Sequence, residues 1–501
     1  MKTILKYFLL ALVVKGYSLN AQQKSNPEKL NAMIVQGMKD WKVPGLAAIV
    51  VMDGEVVFQK TYGVKNVKTK EPVNENTLFA MASTTKAIVA LSLGMLVDEG
   101  KLKWDDKVVE HLPYFRLSDP YITASARVKD LLTHNLGIGN ADLLWFIDST
   151  STRQTLKKFQ HAKKAYPLRG GFVYQNIMYV AAGEVIRAAS GKHWTDFVKE
   201  RVFTPLEMTR TQAKAINIVK VGNYVTPYDN DPEAGIVQVP HSFADQIGAA
   251  GMIWSAPKDI SNYLTFLVNG GIYKNDTLVK TSTFNYLFRP HALQPAGGVY
   301  PTTALTKPNW NTYGLGWFQQ DYRGSKLDFH TGSLGGLVAI AGVVHDKNMA
   351  VYVFANLDHA ELRHAIMLKA IDLFVFNDDG RDWHNEVFEL YRGLNIKEVE
   401  KQKKKVDDRI KSTKPSLPLS AYKGVYTNKM LGKATITQIG ESLDVNFNAL
   451  INFQASHWHY DTFITNKDPS WGDKFEIRFV LDNKGAVKQL DFMGEIFIKT
   501  E

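Results

Sequence analysis

Residues 78–94 read Leu-Phe-Ala-Met-Ala-Ser83-Thr-Thr-Lys86-Ala-Ile-Val-Ala-Leu-Ser-Leu-Gly. The apolar spacing predicts a helix over residues 84–99, closed by Gly100 as a C-terminal cap. Ser83 and Lys86 stand three apart at its start, so the ammonium can reach the hydroxyl on one helix face. A helix N-terminus favours an alkoxide or oxyanion. Burial among apolar neighbours lowers a lysine pKa and turns the side chain into a base. The same spacing recurs at Ser255-Ala-Pro-Lys258, where Ser255 reads as the cap of a helix opening near Pro257.

Upstream, residues 27–41 carry helical apolar spacing, and two strand-like runs, 45–52 and 55–62, flank Asp53-Gly54, a hairpin signal. Residues 104–263 mix helices with polar loops. Strands return at 313–318, 337–344 and 349–356, followed by a helix over 359–376. Strands at both ends of a region with helices between them predict an α+β fold, an antiparallel sheet flanked by helices with an inserted, mainly helical lobe. Beyond it, residues 397–414 are a charged run that reads as a solvated helix, closed by Pro415 and Pro418. Residues 422–501 alternate apolar and polar in short runs, as a small all-β barrel-like module does. The expected division is a signal peptide at 1–21, a main domain at 22–395, a charged linker at 396–418 and an all-β domain at 419–501.

The chain has 501 residues, a net charge of +10 and no cysteine. Disulfides, thiol nucleophiles and thiolate metal sites are thereby excluded. The positive charges are dispersed and accompany no nucleic-acid-binding motif, so no nucleic-acid partner is expected. Met1-Lys-Thr-Ile-Leu-Lys6, the apolar run 7–14 and Leu19-Asn-Ala21 have the three regions of an export signal cleaved after Ala21. Eight apolar residues cannot span about 30 Å of hydrocarbon as a helix, so no stable membrane insertion is expected after signal removal, and the destination is periplasmic or secreted. His457-Trp-His459 lacks a third ligand and Gly137-Ile-Gly139 lacks a third glycine, so neither a metal nor a nucleotide cofactor is expected.

Two further elements carry chemistry. Tyr174-Gln-Asn176 stands at a loop-to-helix junction, unlike the other Tyr-x-Asn matches at Tyr228, Tyr273 and Tyr426. Its phenol can share a proton with Lys86, and Asn176 offers an amide to a substrate. His330-Thr331-Gly332-Ser333 precedes the strand 337–344. There the Ser333 N–H, with that of Ser83, can bind a carbonyl oxygen as it turns negative. Taken singly, His330 reads as a hydrogen-bonded loop histidine.

In this order the three elements resemble the penicillin-recognising serine hydrolases, the superfamily of class C β-lactamases, penicillin-binding proteins, D-aminopeptidases and esterases (peptidase S12-like). The resemblance covers roughly residues 27–380. It includes Val43-Pro-Gly-Leu-Ala47, Trp104-Asp-Asp106, Leu131-Leu-Thr-His-Asn-Leu-Gly137, Ala249-Ala-Gly-Met252 and Tyr313-Gly-Leu-Gly-Trp317. It implies that Ser83 is acylated, that Lys86 and Tyr174 handle its proton as a coupled unit, and that Asn176, His330, Thr331, Gly332 and Ser333 bind substrate. Lactamases carry lysine where His330 stands, so the resemblance points to small amides, peptides (including those with D-residues) or esters. The alternatives are a β-lactamase or D,D-carboxypeptidase and, in another class, a catalytically silent ligand-binding protein. The expected partner is a small-molecule or peptide substrate. The C-terminal module is similar to the lipocalin-like domain appended to some members and is the candidate surface for oligomer assembly.

Overall fold

The computed structural model describes residues 25–295, 297–468 and 474–500. The expected export signal lies outside them. Eight strands form the main sheet: β1 (Gly45–Met52), β2 (Glu55–Gly63), β3 (Ala292–Leu293), β4 (Asn311–Tyr313), β5 (Phe318–Tyr322), β6 (Ser325–Leu334), β7 (Leu337–Val344) and β8 (Met349–Ala355), in the order β2-β1-β8-β7-β6-β5-β4-β3 and antiparallel at every paired edge. The Asp53-Gly54 turn joins β1 to β2 with both residues left-handed, φ +51° and +83°, as a two-residue hairpin requires. Residues 313–318, read as one strand, are instead the end of β4, a turn and the start of β5; Gly316 turns the chain at φ +87°.

Strands β1, β7 and β8 are buried almost throughout, while the edge strand β2 fully buries Phe58 alone. The reason is that helices cover both faces of the sheet. Helices α1 (Asn26–Asp40) and, near the end of the main domain, Leu362–Val375 pack together, the latter against β7 and β8; a helix at Pro257–Val268 packs against β1 and β8 on the other side. Central strands sheltered on both sides read as continuous apolar runs. The helix predicted after Ser83 is α2 (Thr85–Asp98), whose residues from Thr85 to Leu96 are all buried. A helix that is apolar all round belongs in an interior. It packs against α3 (Asn176–Ser190) of the inserted lobe. In chain order the three later helices are α4 (Pro257–Val268), α5 (Leu362–Val375) and α6 (Trp383–Asp407).

The decoy Ser255 does not cap α4: the cap position is Ala256, and the Ser255 hydroxyl, fully buried, bonds Thr211 Oγ1 at 2.8 Å. After α6 the chain closes an eight-stranded antiparallel barrel, β9 (Gly424–Asn428), β10 (Gly432–Ile439), β11 (Ser442–Phe447), β12 (Ile451–His459), β13 (Thr462–Thr465), β14 (Glu476–Leu481), β15 (Val487–Phe492) and β16 (Glu495–Lys499). Buried aromatic side chains, among them Tyr426, Phe447, Phe463, Phe479, Phe492 and Phe497, form its core. His457 bonds the Tyr460 carbonyl at 2.9 Å and a register shift separates it from His459. Among the described residues no helix is long and apolar enough to cross a membrane.

The start of α6 is held by one buried carboxylate. Asp372 of α5 accepts from Trp383 Nε1 (2.6 Å), Tyr322 Oη (2.7 Å) and Arg323 Nη1 (2.9 Å). Asp372→Ala leaves the buried indole and phenol donors without an acceptor and is expected to destabilise the protein by about 3 kcal/mol, read as a lower urea midpoint.

Candidate active site

Ser83 sits in a single 3-10 turn, Ala82–Thr84, between the two-residue strand Phe79–Ala80 and α2. The preceding Ala82 is left-handed at φ +47°, a conformation costly for a residue with a side chain and kept only where the surroundings impose it. Here they do. Met81 N–H bonds the Ile253 carbonyl (2.8 Å), and Thr84 Oγ1 and N–H both return to the Met81 carbonyl (2.8 and 3.2 Å).

Strand β6 runs directly against this turn. A Cβ at Gly332 would lie 2.3 Å from Met81 O and 3.0 Å from Ser83 N, so only glycine fits. The pairing of β5 with β6 ends at Phe329. His330, Thr331, Gly332 and Ser333 therefore belong to β6 itself, not to a loop, and present to Ser83 an edge that β5 does not cover.

Lys86 is fully buried in the first turn of α2. Its Nζ donates to Ser83 Oγ (3.0 Å), Asn176 Oδ1 (2.8 Å) and the Ala250 carbonyl (2.6 Å), and lies 4.9 Å from the Tyr174 ring centre. Burial pulls the ammonium down to about 7, against the opposing pull of the Asp142 carboxylate. Asn176 opens α3 and spends its amide inside the protein: Oδ1 faces Lys86, and Nδ2 donates to both oxygens of Asp142 (3.1 and 3.2 Å). Asn176 lines the cleft, and its amide ties lysine to carboxylate.

Tyr174 is half-buried and lines the cleft. Burial holds its phenol well above the ordinary tyrosine range, with Tyr300 adding in the same direction and the Ser83 hydroxyl opposing. Beneath it lies His134, its ring 4.2 Å from that of Tyr174 and inclined by 29°. His134 Nδ1 accepts from the Gln175 backbone N–H (2.9 Å), and Nε2 meets Tyr313 Oη (3.2 Å). Tyr313 Oη in turn meets His330 Nε2 (3.0 Å), while His330 Nδ1 lies 2.6 Å from the Thr331 carbonyl. An amide N–H can only donate and a carbonyl can only accept, so with both rings neutral every direction is fixed. Nε2–H of His134 donates to Tyr313, and the Tyr313 hydroxyl donates to His330. Burial keeps both rings neutral, His330 down at about 3 and His134 well below the usual histidine value, with the nearby Lys86 charge adding to each.

His330, only 1% exposed, therefore has both nitrogens occupied and does not line the cleft, contrary to its expected place against substrate. Thr331 and Ser333 do line it. The cleft encloses about 1020 Å³ between the sheet, the inserted lobe and one turn of the barrel. At its far side Arg363 is saturated by Glu361, the Gly332 and Ala339 carbonyls and Ser333 Oγ. Sequence reasoning missed Asp142, His134, Tyr313, Ala250 and Arg363 as site residues. Three of them sit inside segments already noted for their resemblance: His134 in 131–137, Ala250 in 249–252 and Tyr313 in 313–317. Asp142 and Arg363 sit in no such pattern. Among the described residues no cluster of His, Asp or Glu has the makings of a metal site.

The family model described as Beta-lactamase matches residues 30–375, spanning every residue of this constellation. The chain belongs to that family. A second model, a domain of unknown function (DUF3471), matches residues 408–499, the barrel. The unguisins hydrolase ungD of Aspergillus violaceofuscus is 25% identical over 423 residues, 78% of this chain and 73% of that protein. Protein flp of Staphylococcus aureus is 24% identical over 342 residues, 66% of this chain and 63% of flp. The octameric penicillin-binding protein homologue from Pyrococcus abyssi superposes with a TM-score of 0.61 at 23% identity, covering 94% of this chain and 99% of that one. SurE superposes with a TM-score of 0.56 at 18% identity, covering 95% and 99%. These solved structures share the beta-lactamase-family fold and the appended β-module.

Two outcomes follow from this geometry. Nitrogen-15 NMR is expected to find His134 as the Nε2–H tautomer and His330 as the Nδ1–H tautomer, both unchanged from about pH 5 to 9; titration of either ring in that range contradicts the assignment. Lys86→Met removes an ammonium whose folded pKa, about 7, lies below its ordinary 10.5. The unfolded chain holds that proton between these values and the folded chain does not, so wild-type stability rises with pH across the interval. The variant is expected to be more stable by about 1–4 kcal/mol at or below pH 7, with the gain shrinking toward pH 10, as read from thermal midpoints.

Proposed function

We propose that this chain is an exported hydrolase that cleaves small amide, peptide or ester substrates through an acyl intermediate on Ser83. The observation that carries the proposal is the 3.0 Å contact between a hydroxyl at the cleft floor and a fully buried lysine lowered to about 7. Neutral Lys86 takes the Ser83 proton as Oγ bonds the substrate carbonyl carbon. The carbonyl oxygen turns negative toward the N–H groups of Ser83 and Ser333, beside the uncovered edge of β6. Tyr174 keeps its proton at neutral pH and is suited to hand it to the leaving nitrogen or oxygen, recovering it from the Lys86 ammonium. Water then enters, gives a proton back through the same pair, and releases the acid and Ser83.

The substrate class follows from charge. Position 330 holds a neutral, buried imidazole, and Arg363 is already spent on protein oxygens, so neither supplies a free cation for a substrate carboxylate. This favours amides, peptides and esters over β-lactams and D,D-carboxypeptidase substrates, whose carboxylates need such a partner. The name of the ungD relative, a hydrolase of unguisins, supports the amide and peptide reading; the structure of SurE with D-Leu supports including D-residues among the substrates. An intact Ser83–Lys86 contact argues against a silent ligand-binding protein. The sequence of residues 1–21 supports export.

Purified protein should react with a fluorescent phosphonate at Ser83, located by mass spectrometry, and Ser83→Ala should not; labelling that persists in the variant refutes the assignment. On an acetate ester, kcat/KM should rise with pH through an apparent pKa near 7, as Lys86 loses its proton, and then level off. Turnover of a chromogenic cephalosporin far above that of esters would overturn the substrate class.

A further inference from the structure

The turn between β11 and β12 of the barrel reaches the catalytic cleft. Its residues Asn448 and Ala449 are both left-handed, φ +52° and +57°, and the Asn448 side chain is anchored on every side. Nδ2 donates to Leu431 O (2.8 Å) within the barrel and to Ile147 O (2.9 Å) of the main domain, and Oδ1 accepts from Lys433 N–H (2.9 Å). Gly432 leaves room for it, since a Cβ there would stand 2.3 Å from Asn448 Oδ1. Ile147 ends the short helix Leu143–Phe146, which carries Trp145 and Phe146. Among the described residues the barrel is also tied to the main domain through Lys467 to Asp231 and Lys163 to Glu495. The turn is thus held in one place beside the cleft.

What it presents there is apolar. Leu450, whose N–H closes the turn on the Phe447 carbonyl (2.9 Å), is 50% exposed, and it shares the cleft with Val299 (42% exposed), Phe146 and Trp145, whose ring stacks on Phe146 at 3.8 Å. Leu450 and Val299, large apolar side chains left open to water on separate segments around one cavity, mark a surface that a ligand covers. One polar group stands at the foot of this wall, Asp142, which accepts from Trp145 Nε1 (3.2 Å); others line the cleft at Ser83, Ser149 and Thr331 and around Asp358, His359 and Arg363.

We infer that Leu450 of the C-terminal barrel, with Trp145, Phe146 and Val299, forms a subsite for a bulky apolar group of the substrate, so that the barrel takes part in substrate selection. This rests on the acyl-serine reading above and narrows it to substrates with a large hydrophobic acyl group or side chain. The barrel contributes no group to the bond-making step; it adds contact area that a long substrate covers and a short one does not reach.

The test compares ethyl and octyl fluorophosphonates. Each forms a bond from Ser83 Oγ to phosphorus, expels fluoride and leaves the hydroxyl proton on Lys86. The octyl reagent should label the full chain roughly tenfold faster than the ethyl reagent or better. Leu450→Asp should abolish most of that preference and Leu450→Ala part of it, with ethyl labelling changed by less than about twofold. The Leu450 side chain is half exposed and its turn is closed by its backbone N–H, so both variants should keep the wild-type melting temperature. A chain-length preference that survives in Leu450→Asp, or ethyl and octyl rates that fall together, overturns the subsite. Absence of labelling by either reagent overturns the acyl-serine reading itself, and the subsite with it.

Discussion

The site is organised around one cost, that of keeping the amine of Lys86 out of water. A charged ammonium with no solvent contact is expensive, and the protein meets the expense by lowering its proton affinity and by surrounding it with oxygen acceptors. Each acceptor comes from a different part of the chain: the turn before α2, the start of α3 and the segment before α4. The requirement that they converge accounts for much of the fold near the site. Helix α2 must be sheathed completely, the inserted lobe must close over it, and β6 must approach so near that glycine alone is tolerated at 332.

A second chain of contacts runs outward from the same lysine. Asn176 bridges it to Asp142, Asp142 opens the short helix Leu143–Phe146, and the carbonyl just past that helix receives the side chain of Asn448. Reactive centre, apolar wall and barrel are thereby one connected set of hydrogen bonds and packed rings. The appended module is a continuation of the site's framework, docked by the same polar chemistry that holds the lysine.

Much of this was legible in the sequence. The apolar surroundings of Ser83 and Lys86 announced a buried helix start, Asp53-Gly54 announced the hairpin, and the alternation after residue 422 announced the barrel. The segments at 131–137, 249–252 and 313–317 resembled the family without revealing why. Each proves to deliver one polar atom to the centre, at His134, Ala250 and Tyr313. What stayed hidden was tertiary. Asp142 lies in no pattern, and its weight comes from meeting Asn176, 34 residues away in sequence. Asn448 meets Ile147 across 301 residues, a proximity that no local periodicity encodes. His330 was misplaced because position along the chain does not disclose which way a strand residue turns: its backbone flanks Ser83, yet its ring faces the interior and Tyr313.

The row from Gln175 through His134 and Tyr313 to His330 and the Thr331 carbonyl has a consequence for proton traffic. A string of hydrogen bonds conducts only if a proton can enter at one end and leave at the other. This one begins at a peptide nitrogen and ends at a peptide oxygen, neither of which titrates near neutral pH. It is a dead circuit. In the proposed acyl-serine reaction, a proton lifted from Ser83 would find no drain along this row behind Tyr174, and would stay with Lys86 and the phenol until the departing fragment carried it away through the cleft mouth. On that reading the floor of the site works as insulation, and each proton serves the reaction in which it was released.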